Sequence, residues 1–404
     1  MSKTLDHKIS RRGFLKTTGQ GLAALNAATV ITRSEAFNAS AAITGSDGEP
    51  NAGEAITGGT AAQRVPDPPG KKAGWAIVGL GNLAINQILP AFAKCEHSRP
   101  VALVSGHPEK AAKLAARYGV NPRSIYNYQN YDSIKDNPEV DIIYIVLPNG
   151  MHAEYTIRGH QAGKHVLSEK PMANTPGDCQ AMIDAAHKAN RKLMVAYRCR
   201  YEPFNQAMIK MARDQELGPL KVIVADHGFN IGDPTQWRLK RELAGGGSLM
   251  DIGIYSLQAA RYITGEDPTE INAAMYSTPG DVRFKEVEET INFQLRFPSG
   301  VLANCTSSYG YAGQNRYRVI ATTGWFELEP ATSYTGQRMR VRRGNATEER
   351  DMQPRDHFAA EMDHMSECVM NDKAVLTPGE EGLRDITIMS AIYEAARAGK
   401  TIKL

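Results

Sequence analysis

At 404 residues the chain is long enough for two domains and a large core. Its 42% hydrophobic and 23% charged content fits an ordinary globular protein, and a net charge of +3 is too small to argue for a nucleic-acid partner. No apolar run reaches the ~20 residues that a membrane span needs, so no membrane anchor is expected. Five scattered cysteines (Cys95, Cys179, Cys199, Cys305, Cys368) form no Cys-x-x-Cys pair, and neither a metal site nor a disulfide framework follows from them.

The first 41 residues read as an export signal. Ser10-Arg11-Arg12-Gly13-Phe14-Leu15-Lys16 precedes an alanine-rich apolar stretch, Gly21 to Ile31, and small residues follow at Ala36 and Ala39-Ser40-Ala41. The paired arginines resemble the twin-arginine signal, which carries proteins out already folded. A periplasmic location, reached through the twin-arginine export machinery, is therefore expected. Residues 42–72, rich in Gly, Ala, Pro and Thr, read as an extended arm without a core of its own.

From Gly74 strands and helices alternate. Trp75 to Val78, Pro100 to Val104, Asp141 to Leu147, Lys164 to Ser168 and Lys192 to Tyr197 read as strands. The run Asp141 to Leu147 is apolar throughout, as a strand buried on both faces requires. Such alternation about every 25 residues predicts a doubly wound parallel sheet over 73–198. Its first turn is Gly79-Leu80-Gly81-Asn82-Leu83-Ala84, a Gly-x-Gly-x-x-Ala pattern. Gly79 allows a tight turn, Gly81 lets the backbone approach a pyrophosphate, and Asn82 and Leu83 open a helix whose N-terminus favours anions. Pro90 inside that helix pattern should kink or interrupt it. Residues 199–404 change rhythm. Strand-like segments, including Glu286 to Phe297, Val301 to Tyr309 and Arg316 to Thr322, follow without intervening helices and predict an α+β domain with a large, mostly antiparallel sheet. Two helices, Phe358 to Met370 and Gly382 to Ala398, close the chain.

The second strand ends at Ser105 rather than at the carboxylate that would bind an adenosine 2′-hydroxyl, and Lys110 follows. A hydroxyl and an ammonium suit a 2′-phosphate, which predicts NADP as cofactor. Lys170 ends an apolar strand at its carboxyl edge, where open α/β sheets hold ligands. Asp251 and Tyr255 stand four apart, a spacing that shares one helix face. A tyrosine beside a lysine can take a proton from an alcohol and return it to a carbonyl, with Asp251 orienting the pair or binding a sugar hydroxyl. Trp237, Arg238 and, more weakly, Tyr334 are candidates for cofactor or sugar contacts.

Taken together, Ala76-Ile77-Val78-Gly79-Leu80-Gly81, Glu169-Lys170-Pro171-Met172-Ala173, Gln236-Trp237-Arg238-Leu239 and Gly245-Gly246-Gly247-Ser248-Leu249-Met250-Asp251-Ile252-Gly253-Ile254-Tyr255 resemble the Gfo/Idh/MocA oxidoreductases. Within that family the periplasmic glucose–fructose oxidoreductases, which carry tyrosine at the position of Tyr255, are the nearest in pattern; aldose–aldose oxidoreductases are similar. The resemblance covers about Gly74 to Leu404. It implies a Rossmann domain followed by the α+β domain, Lys170 and Tyr255 as the catalytic pair with Asp251 assisting, and Ser105 and Lys110 at the 2′-phosphate. It places the Pro148-Asn149 turn and Arg198 near the cofactor, and the neighbouring His152 and Glu169 are counted with them. It further implies tightly held NADP(H), reduced as a glucose-like aldose is oxidised at C1 to its lactone and reoxidised as a second sugar, fructose or another aldose, becomes an alditol, and a homo-oligomer (dimer or tetramer) built through the second sheet. The alternative is a conventional NADP-dependent dehydrogenase of sugars or cyclic polyols with an exchangeable cofactor. A third reading, a non-catalytic NADP-binding sensor, is opposed by the intact Lys170, Asp251 and Tyr255.

Overall fold

The computed structural model describes residues 72–404. The expected export signal, and all but the last residue of the expected arm, lie outside the described residues. The first sheet comprises β1 (Ala73–Val78), β2 (Ser98–Val104), β3 (Ile125–Tyr126), β4 (Ile142–Ile145), β5 (His165–Glu169) and β6 (Leu193–Ala196). All pairs are parallel, in the order β3-β2-β1-β4-β5-β6. Alternate residues feed opposite layers. Trp75, Ile77, Ile142 and Tyr144 enter one core cluster, while Ala76, Val78, Ile143 and Ile145 enter the other. Both faces are covered, which is why these strands read as unbroken apolar runs.

At the end of β1 the chain reverses at Gly79, whose φ is +91°. A Cβ there would stand 2.3 Å from the Val146 carbonyl oxygen, so only glycine fits this turn. The helix that follows is irregular: a π-turn at Ala84–Ile88, three α-helical residues in α1 (Leu89–Ala91), then a 3₁₀ turn at Phe92–Lys94. Pro90 accounts for the break, because it lacks the N–H that the carbonyl four residues back would need. Helices α2 (Pro108–Tyr118), α3 (His152–Gln161) and α4 (Pro176–Ala189) complete the crossovers.

The second sheet comprises β7 (Leu220–Asn230), β8 (Glu270–Tyr276), β9 (Thr290–Arg296), β10 (Leu302–Ser308), β11 (Gly310–Ala321), β12 (Gly324–Leu328), β13 (Met339–Arg343), β14 (Ala346–Arg350) and β15 (Ile402–Lys403). Its order is β14-β13-β12-β11-β7-β10-β9-β8-β15, antiparallel except between β10 and β7. One face is apolar (Ile223, Ile291, Phe293, Leu295, Val319) and shares a cluster with Met208 and Met211 of α5 (Pro203–Arg213) and Leu257 and Ala260 of α7 (Ile254–Thr264). The other face is polar and partly exposed, with side-chain pairs such as Asn292–Thr306 and Gln294–Asn304, each at 2.9 Å. A short helix, α6 (Arg241–Ala244), precedes α7, and α8 (His357–Met370) and α9 (Gly379–Ala398) follow the sheet.

Helix α8 returns to the first sheet. Phe358, Met362 and Met365 join the cluster of Trp75, whose Nε1 donates to Ser366 Oγ at 3.0 Å. Asp363 accepts the N–H groups of Glu96 and His97 at 2.7 and 2.9 Å, and the Ser98 hydroxyl at 2.9 Å. A carboxylate that receives three donors at a strand's start is expensive to lose. Asp363→Ala should cost about 2–4 kcal/mol in urea unfolding, whereas Asp363→Asn, which keeps an acceptor oxygen, should cost less; equal and negligible losses would show that this anchor is idle.

Candidate active site

The strand order of the first sheet reverses between β1 and β4, and a cleft of about 720 Å³ opens beyond the carboxyl ends of its strands. One wall is built by these ends: Gly79, Gly81, Asn82 and Leu83 after β1, Pro148 and Asn149 after β4, Glu169 and Lys170 at β5, and Arg198 after β6. The opposite wall comes from the second half of the chain: His227 on β7, Trp237 and Arg238, Asp251 and Tyr255, and Tyr334. A Cβ on Gly81 would meet nothing within 4 Å and would project into open space. That space runs along the N-terminal turn of the first helix, and it suits a pyrophosphate.

Lys170 is the meeting point of the two walls. Its Nζ donates to the Asp251 carbonyl at 2.6 Å and reaches the Asp251 carboxylate (Oδ1) at 3.4 Å. It also lies 4.7 Å from the centre of the Tyr255 ring. Burial pulls against the ammonium form, but the charges of Tyr255, Asp251 and Glu169 outweigh it and raise the Lys170 pKa above its ordinary value. Lys170 is therefore a standing cation. Burial likewise pushes the Asp251 carboxyl up, yet Arg238 and Lys170 prevail and hold it at about 2. Arg238 Nε donates to Asp251 Oδ2 at 2.9 Å, and the Tyr309 hydroxyl donates to the same oxygen at 3.1 Å.

Asp251 lies in a π-turn, Leu249–Gly253, that runs into α7, and Tyr255 lies in the first turn of α7, so the two are not joined by one regular helix. Both still face the cleft. The turn is secured by Glu288, whose carboxylate accepts the Gly247 and Leu249 N–H groups at 2.8 and 3.0 Å. The Tyr255 hydroxyl receives Arg198 Nη2–H at 3.1 Å. Arg198 is anchored by the Thr332 carbonyl at 2.5 Å, and its guanidinium covers the Tyr334 ring at 4.8 Å.

The expected cofactor contacts differ in their relation to the cleft wall. Arg238 lines the cleft, but its guanidinium is committed to Asp251 and stacks on Trp237 at 4.7 Å, so it orients the acid rather than presenting itself to a phosphate. His152 is fully buried behind the wall, its ring nitrogens 2.9 and 2.8 Å from the Pro171 and Leu147 carbonyls; it ties two turns together and does not line the cleft. Ser105 is buried at the end of β2, its Oγ accepting the His107 N–H at 3.0 Å, and neither it nor Lys110 on α2 belongs to the cleft wall. Asn149 lines the cleft and donates to the Ala244 carbonyl at 2.9 Å, which joins the two walls. Glu169, also in the wall, accepts the Tyr144 hydroxyl at 2.8 Å. Tyr309, Thr332 and His227 escaped sequence reasoning. They sit on or after strands whose pattern signals only β structure. Among the described residues no group of three or more His, Cys, Asp or Glu side chains could hold a metal ion.

Comparison with known proteins agrees with this arrangement. Residues 73–197 match the model of the GFO/IDH/MocA oxidoreductase family, NAD-binding Rossmann fold, and residues 205–327 match the GFO/IDH/MocA C-terminal domain. The chain belongs to the Gfo/Idh/MocA oxidoreductase family. It is 31% identical to D-xylose 1-dehydrogenase [NADP(+)] of Haloarcula marismortui over 82% of this chain and 92% of that protein. It is 28% identical to D-xylose 1-dehydrogenase (NADP(+)) 2 of Haloferax volcanii over 82% and 99%. Among solved structures, aldose–aldose oxidoreductase from Caulobacter crescentus complexed with glycerol is 53% identical with a TM-score of 0.81, over 83% of this chain and 100% of that one.

The depressed pKa of Asp251 has a consequence for stability. A carboxyl whose pKa falls on folding adds stability above its unfolded value, and that stability is lost as the pH drops through the folded value. The stability gap between wild type and Asp251→Asn should therefore narrow by about 1 kcal/mol between about pH 5 and pH 3 in urea titrations; a gap that does not change with pH would contradict the charge assignment.

Proposed function

We propose that this chain is an exported sugar oxidoreductase that keeps NADP(H) bound, oxidises an aldose at C1 to its lactone, and reduces a second sugar, most simply another aldose, to an alditol. The observation that carries the reading is the Tyr255 hydroxyl, paired to Arg198 at 3.1 Å with the Lys170 cation 4.7 Å from its ring, on the wall of a cleft shaped for a dinucleotide. The 53% identity to an aldose–aldose oxidoreductase along its whole length supports the choice of substrates.

Gly79, Gly81, Asn82 and Leu83 would hold the pyrophosphate, and Pro148, Asn149, Glu169, Arg198 and Tyr334 would enclose the nicotinamide end. Ser105 and Lys110 are assigned to the 2′-phosphate beyond the cleft wall. Bound there, NADP supplies the ring carbon that takes up and gives back a hydride. Tyr255 is the base. Held as a phenolate by Arg198 and Lys170, it would take the proton from the C1 hydroxyl and become the neutral phenol. Asp251 fixes Lys170 in place, and Arg238 and Tyr309 fix Asp251. When a second sugar binds, Tyr255 returns its proton to the carbonyl oxygen as that carbon is reduced.

Export favours this closed cycle, because free NADP(H) is scarce outside the cytoplasm. The Arg11-Arg12 signal supports delivery of the folded, loaded protein to the periplasm. The partly exposed polar face of the second sheet is assigned to a homo-oligomer contact. The rival reading, a dehydrogenase that releases its cofactor each turnover, draws support from the similarity to D-xylose 1-dehydrogenase [NADP(+)].

Protein purified without added nucleotide should gain the near-ultraviolet absorbance of a reduced nicotinamide on addition of an aldose, and lose it when a second sugar follows. Protein that arrives empty and turns over only with added NADP would favour the rival. Tyr255→Phe should lower kcat by about 10²–10⁴-fold with the bound nucleotide retained, and unchanged turnover in Tyr255→Phe and Lys170→Ala would overturn the catalytic assignment.

A further inference from the structure

His227 lines the cleft beside Tyr255 and has no part in the chemistry set out above. It is 3% exposed, and its ring lies 5.9 Å from the Tyr255 ring with the planes inclined at 31°. Its Nδ1 is 2.8 Å from the hydroxyl of the fully buried Ser256. Its Nε2 is buried and meets no hydrogen-bonding partner among the described residues. Arg198 carries a second such atom in the same wall. While Nη2 serves Tyr255 and Thr332, Nη1 is buried and likewise unmatched.

Two buried polar atoms without partners, on residues that adjoin the Tyr255 side chain, are costly unless a bound group satisfies them. A guanidinium N–H can only donate. The imidazole nitrogen accepts or donates according to the tautomer that Ser256 selects. Burial first, then the Arg198 and Lys170 cations, hold the His227 pKa at about 3, so the ring is neutral and keeps one nitrogen free to accept. A hydroxyl both accepts and donates. It is the simplest group that can take the Arg198 N–H and also pair with His227 in either tautomer. The proximity of both residues to Tyr255, which addresses the C1 hydroxyl, selects the neighbouring position on the sugar.

We propose that His227 Nε2 and Arg198 Nη1 together bind the sugar hydroxyl next to the carbon that loses hydride, the C2 hydroxyl of an aldose, and that His227 thereby determines which sugars the cleft accepts. The inference rests on the sugar oxidoreductase reading given above.

The test uses the loaded enzyme with glucose, 2-deoxyglucose and 3-deoxyglucose. In the wild type kcat/KM for 2-deoxyglucose should fall about tenfold or more below that for glucose, and 3-deoxyglucose should fall less. In His227→Phe the preference for glucose over 2-deoxyglucose should shrink about tenfold, mainly through KM. His227→Gln, whose amide can still pair with a hydroxyl, should recover part of it. A role confined to packing would move the unfolding temperature or the bound nucleotide and leave the preference intact. The wild-type comparison can refute the proposal even if His227→Phe does not fold, and His227→Gln then carries the assignment to His227. Equal use of glucose and 2-deoxyglucose by the wild type, or an undiminished preference in a folded His227→Phe, overturns the proposal and assigns the two atoms to bound water. Failure of the wild type to oxidise any aldose removes the functional reading itself, and this inference with it.

Discussion

Lys170 leaves the carboxyl end of a parallel strand and is gripped by Asp251, a residue of the other half of the chain. The contact joins the two walls of the cleft, where a lysine and a carboxylate, each only 14% exposed, face one another. Buried charges of this kind persist only when each finds its counterpart, since an ion left alone in such a place costs several kcal/mol. The surrounding structure meets that demand from both sides. Arg238 and Tyr309 complete the Asp251 carboxylate, and the Tyr255 ring covers the lysine. The π-turn that carries Asp251 is in turn pinned by Glu288. The positions of Lys170, Asp251 and Tyr255 thus follow from electrostatic pairing across the cleft as much as from the fold of either sheet.

Tyr255 gains its chemistry from the same arrangement. Neighbouring cations, Arg198 at its oxygen and Lys170 at its ring, favour the phenolate that the proposed base must be before it takes a proton. Asp251 is held ionised next to them, so the corner has a fixed set of charges and one group free to exchange a proton. Such an arrangement serves equally well in both directions. That is the property required if one cleft is to oxidise one sugar and reduce another with a cofactor that stays in place.

The parallel sheet was legible because strands covered on both faces have no room for polar residues, and because Gly79 must be glycine where its Cβ would strike Val146. The strands of the second sheet were legible from their alternation, but its edges were not. Ala346–Arg350 is polar after its alanine, and Ile402–Lys403 has only two residues, as has Ile125–Tyr126 at the edge of the first sheet. The return of α8 to the first sheet left no local mark either, because its apolar face fits either sheet and the groups that select it, Trp75 and the turn from Glu96 to Ser98, are far away in sequence. In the site, Lys170, Asp251 and Tyr255 could be found from strand ends and helical spacing. The partners that govern them could not. Arg198 could be placed near the cofactor, yet its bond to Tyr255 depends on Thr332, which is 134 residues distant in sequence. Arg238 looked suited to phosphate, and only the fold reveals that a carboxylate claims it.

The central claim, one retained cofactor shuttling hydride between two sugars in a single cleft, is most directly tested with an isotope. Glucose deuterated at C1 is offered together with a second aldose and a large excess of free, unlabelled NADPH, and the alditol is analysed by mass spectrometry. A retained cofactor predicts that the deuterium reaches the alditol undiluted by the free pool. Loss of the label in proportion to the added NADPH would show release at every turnover and would contradict the account.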